Sequence, residues 1–164
     1  MNEPEDMNSK IEPSETINTN ILFRNKGYFY DVREKKYIGE VSGNRQIKTS
    51  IIPARARIFA ILPYKVNNLD VKTDKRRYQV GETVNISAIV KASSRQLGNH
   101  VAYMEVYGPD KKAISYYAKK VILENGKGSL KIPTAFNDET GVWTLLVRDV
   151  ASGVSKKVNI TLVK

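Results

Sequence analysis

The chain has 164 residues, 41% hydrophobic and 27% charged, the balance of a folded globular protein and enough for one ordinary domain or two small ones. It has no cysteine and a single histidine, His100, which excludes disulfides, thiolate metal sites and paired-histidine metal motifs. The formal charge of +10 is uneven: residues 1–20 hold five acids and one base, or −4, so the other 144 residues carry +14.

A basic body either meets nucleic acid, an anionic polysaccharide or an acidic surface, or carries lysines on solvent-facing strand positions. We take the second reading. No apolar run approaches the ~20 residues of a membrane helix. The start, Met1-Asn2-Glu3-Pro4-Glu5-Asp6, lacks the basic and apolar regions of a signal peptide. The chain is therefore expected either to stay inside the cell or to be a piece of a longer exported one. Residues 1–20 lack apolar periodicity and contain Pro4 and Pro13. They are expected to be a disordered acidic tail or linker.

Residues 21–65 read as a small β unit. Short apolar runs at Ile21–Phe23, Tyr28–Val32 and Tyr37–Val41 are separated by turn residues around Gly27, Lys35 and Gly43. Gln46–Ile52 alternates, with Ile47, Thr49 and Ile51 on one face, and Pro53-Ala54 interrupts it. Arg57–Leu62 is apolar on both faces, as in a strand covered on both sides. So short a unit buries little core by itself. Either it packs on the C-terminal unit, or it is the end of a larger sandwich whose earlier strands are missing; the second is favoured.

Residues 66–164 keep a period-two beat. Tyr64–Asn68 is expected as the linker and Leu69–Thr73 as the opening strand. In Thr83–Lys91, Val84, Ile86, Ala88 and Val90 share a face, broken only by Ile89. Ala102, Met104 and Val106 mark a core face, as do Trp143, Leu145 and Val147, and Val158, Ile160 and Leu162. Gly108-Pro109-Asp110 predicts a hairpin turn, Ala113–Leu123 a long bent strand, and Asn125-Gly126 a tight hairpin into Gly128–Ile132. About seven strands with turns every 8–12 residues predict an all-β, immunoglobulin-like antiparallel sandwich.

The chain carries two resemblances. Tyr30-Asp31-Val32-Arg33, Lys36-Tyr37-Ile38-Gly39 and Ile51–Pro63 resemble the closing β-domain of large glycoside-hydrolase-like proteins. Tyr78-Gln79-Val80-Gly81-Glu82-Thr83-Val84, Val106–Lys111, Asn125–Leu130 and Asp138–Leu145, in that order, resemble the macroglobulin-type β-sandwich of the alpha-2-macroglobulin superfamily. The second resemblance covers nearly all of residues 66–164. It implies a spacer or interaction module without catalytic residues, extracellular or at the cell surface.

No catalytic constellation emerges. Trp143 reads as core because Leu145 and Val147 share its face. His100, at a loop-to-strand boundary, has no Ser or Asp partner that spacing identifies. The turn carboxylates Asp138, Glu139 and Asp149 supply too few alternating oxygens for a calcium loop. No metal site, cofactor or nucleic-acid module is expected. The binding candidates are aromatic: Tyr28, Tyr30 and Tyr37 in the first unit, Tyr116 and Tyr117 in the second. Exposed rings beside Lys and Arg stack on sugars or bases, although tyrosine is also an ordinary strand former.

The functional expectation is a non-catalytic accessory or structural β-module, the C-terminal part of a large exported glycoside-hydrolase-like protein. Its partner would be the parent chain's catalytic domain, another protein or a polysaccharide, with no nucleic acid and no membrane insertion. The alternative is a stand-alone binding module for an anionic polysaccharide or another acidic surface.

Overall fold

A computed structural model describes residues 16–52 and 56–164. The expected tail therefore lies largely outside the described residues, as does the expected break at Pro53-Ala54. The N-terminal strands are β1 (Ile17–Phe23), β2 (Gly27–Asp31), β3 (Lys36–Val41), β4 (Arg45–Ile51) and β5 (Phe59–Leu62). β1 starts four residues before the apolar run that suggested it, inside the stretch read as tail. Its polar start is held by pairing with β4, Ile17 opposite Ile51 and Thr19 opposite Thr49. The β1–β4 ribbon and the sheet β3-β2-β5 share a small core of Phe23, Phe29 and Val41, flanked by Ile21, Ile38, Ile47 and Phe59. The rings of Phe23 and Phe59 lie 4.5 and 4.9 Å from that of Phe29.

The rest of the chain forms β6 (Val66–Thr73), β7 (Arg77–Gln79), β8 (Thr83–Ala92), β9 (His100–Tyr107), β10 (Lys119–Leu123), β11 (Lys127–Pro133), β12 (Gly141–Asp149) and β13 (Ser155–Val163). Sheet β11-β8-β6 faces sheet β10-β9-β12-β13-β7, the all-β immunoglobulin-like sandwich expected. The inward sets named from alternation are the core: Val84, Ile86, Ala88 and Val90 from one sheet meet Ala102, Met104, Val106, Trp143, Leu145, Val147, Ile160 and Leu162 from the other. Removing such side chains from water is the main stabilising term of the fold.

Four local expectations need correction. Arg57–Leu62 is not covered on both sides: β5 begins at Phe59, and Ile58 and Ile61 are exposed. Tyr64–Asn68 is not a loose linker. Tyr64 and Val66 are buried in the sandwich core, and β6 already begins at Val66. Ala113–Leu123 is not one strand: Ala113 makes an isolated bridge to Tyr107, Ser115–Tyr117 is a 3-10 turn, and β10 comes after it. The turn lets the rings of Tyr116 and Tyr117 pack 4.6 Å apart, whereas a continuous strand would hold them on opposite faces of the sheet. Asn125-Gly126 does close a tight turn, with Gly126 N–H donating to Leu123 O at 3.1 Å. The two strands then part, β10 to β9 and β11 to β8, so the turn crosses between sheets instead of building a hairpin.

The strand directions define two poles. Near the first lie the start of β6, residues 93–100 and the β12–β13 turn, beside the N-terminal strands. At the other lie the β7–β8 turn, the β9–β10 connection and the β11–β12 loop.

Candidate functional site

At the first pole the single histidine organises a buried polar chain. Gly98 N–H donates to the Tyr64 hydroxyl at 2.9 Å, which lies 3.0 Å from His100 Nε2. His100 Nδ1 lies 2.8 Å from Asp149 Oδ1. The other carboxylate oxygen accepts from Ser152 N–H at 3.0 Å and from the Ser152 hydroxyl. An ionised carboxylate only accepts, so Nδ1 carries the proton; in the neutral ring Nε2 then accepts from Tyr64. Every group in the chain is satisfied, and among the described residues no buried side-chain nitrogen or oxygen lacks a partner. The trio His100, Asp149 and Ser152 is not a nucleophilic relay. Ser152 bonds the carboxylate and not the ring, and the far ring nitrogen faces a tyrosine in a buried setting. Tyr64 and Asp149 lie 36 and 49 residues from His100 in the chain, which is why spacing did not reveal them.

The same pole joins the N-terminal strands to the sandwich. The Tyr30 hydroxyl accepts from Val66 N–H at 2.8 Å, and burial raises its pKa above the ordinary phenol value. Gly153, at φ +77°, faces the β2–β3 turn so closely that a Cβ would overlap the Lys35 carbonyl. Lys65 Nζ sits 5.0 Å above the Tyr37 ring, a cation–π contact across the join.

The sequence-derived tyrosines therefore divide. Tyr30 and Tyr117 are buried with their hydroxyls committed, so they offer no face to a ligand. Tyr28 is half-buried, its ring 6.5 Å from that of Tyr37. Tyr37 is more exposed and packs 5.2 Å from Tyr30. Tyr116 is 72% exposed.

Tyr117 anchors the second pole. Its hydroxyl donates to Asp138 Oδ2 at 2.6 Å and accepts from Ala135 N–H at 3.1 Å. Its ring lies 5.6 Å from Trp143. Burial, then the bond to Asp138, push its pKa up to about 12. Trp143 is core, as expected, with its indole N–H on Glu139 O at 2.9 Å. A cleft of about 480 Å3 opens here, lined among others by Tyr116, Trp143, Asp110, Lys112, Asp138 and Glu139. Beside it stands Phe136, 86% exposed, which the strand pattern did not single out. Its signal was an aromatic residue in a polar loop, Pro133–Gly141, outside any strand alternation. Among the described residues, no group of three or more His, Asp or Glu converges in a way that could hold a metal ion.

No protein-family model matches the chain, and no curated protein matches it. Among solved structures, E. coli alpha-2-macroglobulin is similar with a TM-score of 0.52 at 11% identity, over 90% of this chain and 11% of that one. The Yersinia pseudotuberculosis adhesin InvE has a TM-score of 0.48 at 16% identity, over 93% of this chain and 49% of its own. A β-glucosidase from Listeria innocua has a TM-score of 0.38 at 14% identity, over 58% of this chain and 16% of its own. The chain thus spans about half the length of the adhesin and about a tenth of the macroglobulin. What it shares with the macroglobulin is fold: a macroglobulin-type, immunoglobulin-like β-sandwich of a kind found within a much larger protein.

Proposed function

We propose that the chain is a non-catalytic structural module of a large exported protein, a stiff spacer that fixes the direction in which its neighbours leave. The observation that carries this reading is the buried join between the N-terminal strands and the sandwich. Tyr30 caps the first amide of β6, Gly153 admits the β2–β3 turn, and Tyr64 and Val66 sit in the sandwich core. A flexible connection would leave these groups in water. The exported setting rests on the likeness to a macroglobulin.

Among the described residues, the N-terminal strands bury three side chains in their own core, Phe23, Phe29 and Val41, and a cleft of about 670 Å3 lies between their sheets. This supports reading them as part of a larger sandwich, of the kind that closes glycoside-hydrolase-like proteins. The chain lacks cysteine, so spin labels on Gln46→Cys and Lys131→Cys go to defined sites, one on each side of the join. A single narrow distance distribution by pulsed electron resonance is expected. A broad or multimodal distribution would remove the spacer role, and hydrolysis of a glycoside by the purified chain would overturn its non-catalytic character.

A further inference from the structure

We propose that the second pole of the sandwich binds a neutral polysaccharide, whose sugar rings stack on Tyr116 and Phe136 beside the cleft over Trp143. This site is independent of how stiff the join at the first pole is.

Exposed aromatic rings are common; exposed rings on rigid supports are less so. Tyr116 packs at 4.6 Å on Tyr117. Tyr117 is fixed by Asp138, Ala135 and Trp143. The result is a row of three rings running from the core to the surface, with only the outermost in solvent. Phe136 rests against the Gly81 backbone: any Cβ at Gly81 would come within 2.5 Å of its ring. The loop that carries Phe136 is pinned at Thr134, two residues before the ring, and closed after it by Asp138 N–H donating to Ala135 O at 3.1 Å. Thr134 N–H donates to Glu82 O at 3.0 Å, and Gly81 N–H donates to Thr134 Oγ1 at 3.0 Å. Phe136 thus touches the protein at Gly81 and offers almost all of its ring outward. Rings already held in place lose little further freedom when a ligand covers them.

The ligand class is set by the groups around the rings. A sugar is amphipathic, with an apolar C–H face that suits an aromatic ring and a rim of hydroxyl donors. The cleft supplies acceptors: besides Asp110, which is paired to Lys112 at 3.2 Å, it is lined by the carboxylates of Glu139 and of Asp138, whose Oδ2 is held by Tyr117 and Ala135. Hydroxyls donate to such groups, whereas a uronate or sulfate would meet like charge. The pole therefore selects against the anionic polymer that the chain's overall charge suggests. Two separate platforms call for a polymer of linked sugars, since one ring serves one unit.

The test is affinity electrophoresis of the full chain in gels containing a neutral β-glucan, a neutral mannan, a neutral xylan or polygalacturonate. At least one neutral polymer is expected to retard the protein, undiminished at about 0.5 M salt, where Coulombic contacts are screened. Tyr116→Ala and Phe136→Ala are each expected to weaken retardation by about tenfold, a loss of about 1.4 kcal/mol. The double variant is expected to abolish it. Tyr116→Phe and Phe136→Tyr keep the stacking surface and should retain binding, and unchanged melting temperatures show that the alanine variants remain folded. The proposal is overturned if no neutral polymer binds, as when a protein partner covers these rings instead. It is equally overturned if only polygalacturonate binds and salt releases it, or if both alanine variants bind like the parent chain.

Discussion

At the scale of single residues, the chain concentrates its polar risk in a few places and satisfies each. Asp149 is fully buried and depends on His100 and Ser152 for donors. Replacing His100 by Leu keeps volume in the pocket but leaves Asp149 Oδ1 without its donor, and leaving a buried acceptor unsatisfied costs about 1–3 kcal/mol. Urea unfolding should show that loss, and H100L/D149N should lose less than the two single variants added together. Additive losses would mean that the pair is not coupled. Asp74 is the surface counterpart. It accepts from the Tyr78 hydroxyl at 2.6 Å and from Asn85 Nδ2 at 3.0 Å, and these bonds lower its pKa from 3.8 to about 2. The folded chain keeps this carboxylate ionised where the unfolded chain already takes up the proton. Its contribution is therefore complete above pH 3.8 and is lost as pH falls to about 2. Unfolding titrations across that window should show a shallower decline in Asp74→Asn than in the parent chain; parallel declines would assign the acid sensitivity to other carboxylates.

At the scale of elements, alternation carried most of the information. Strands β8, β9, β12 and β13 were legible because each buries one face and solvates the other, so period two appears directly in the residues. Two kinds of element were not. β7 is three residues long and pairs in parallel with β13, too short for any period to register. The Asn125-Gly126 turn was legible as a turn but not as a crossing, because local chemistry sets the reversal while distant partners β8 and β9 decide which sheet each arm joins. The site divided in the same way. That Tyr116 and Tyr117 form a pair is visible in the chain. Which ring is the anchor depends on Asp138, 21 residues away from Tyr117, and Phe136 enters only because Gly81, far off in sequence, leaves room for it.

At the scale of the whole molecule, the question is whether the N-terminal strands and the sandwich move as one body. Their junction includes a close backbone approach at Gly153, where an added Cβ would overlap the Lys35 carbonyl oxygen. Its φ of +77° is in the left-handed region, where an L side chain costs about 1–2 kcal/mol. Its missing Cβ makes the space taken by the Lys35 backbone. Gly153→Ala should therefore act twice. The strain is local to the β12–β13 turn and lowers the stability of the sandwich slightly. The steric conflict reaches across the join and pushes the β2–β3 turn away, which exposes Tyr30 and frees the Val66 amide. The expected outcome in the doubly spin-labelled chain is a broader distance distribution, with faster hydrogen exchange at Val66 and unchanged exchange in the middle of β8 and β12. Equal acceleration at all three places would mean that the variant merely destabilises the fold. No broadening at all would mean that the join does not depend on Gly153, and that its stiffness comes from the other contacts across it, such as the Tyr30–Val66 hydrogen bond and the Lys65–Tyr37 contact.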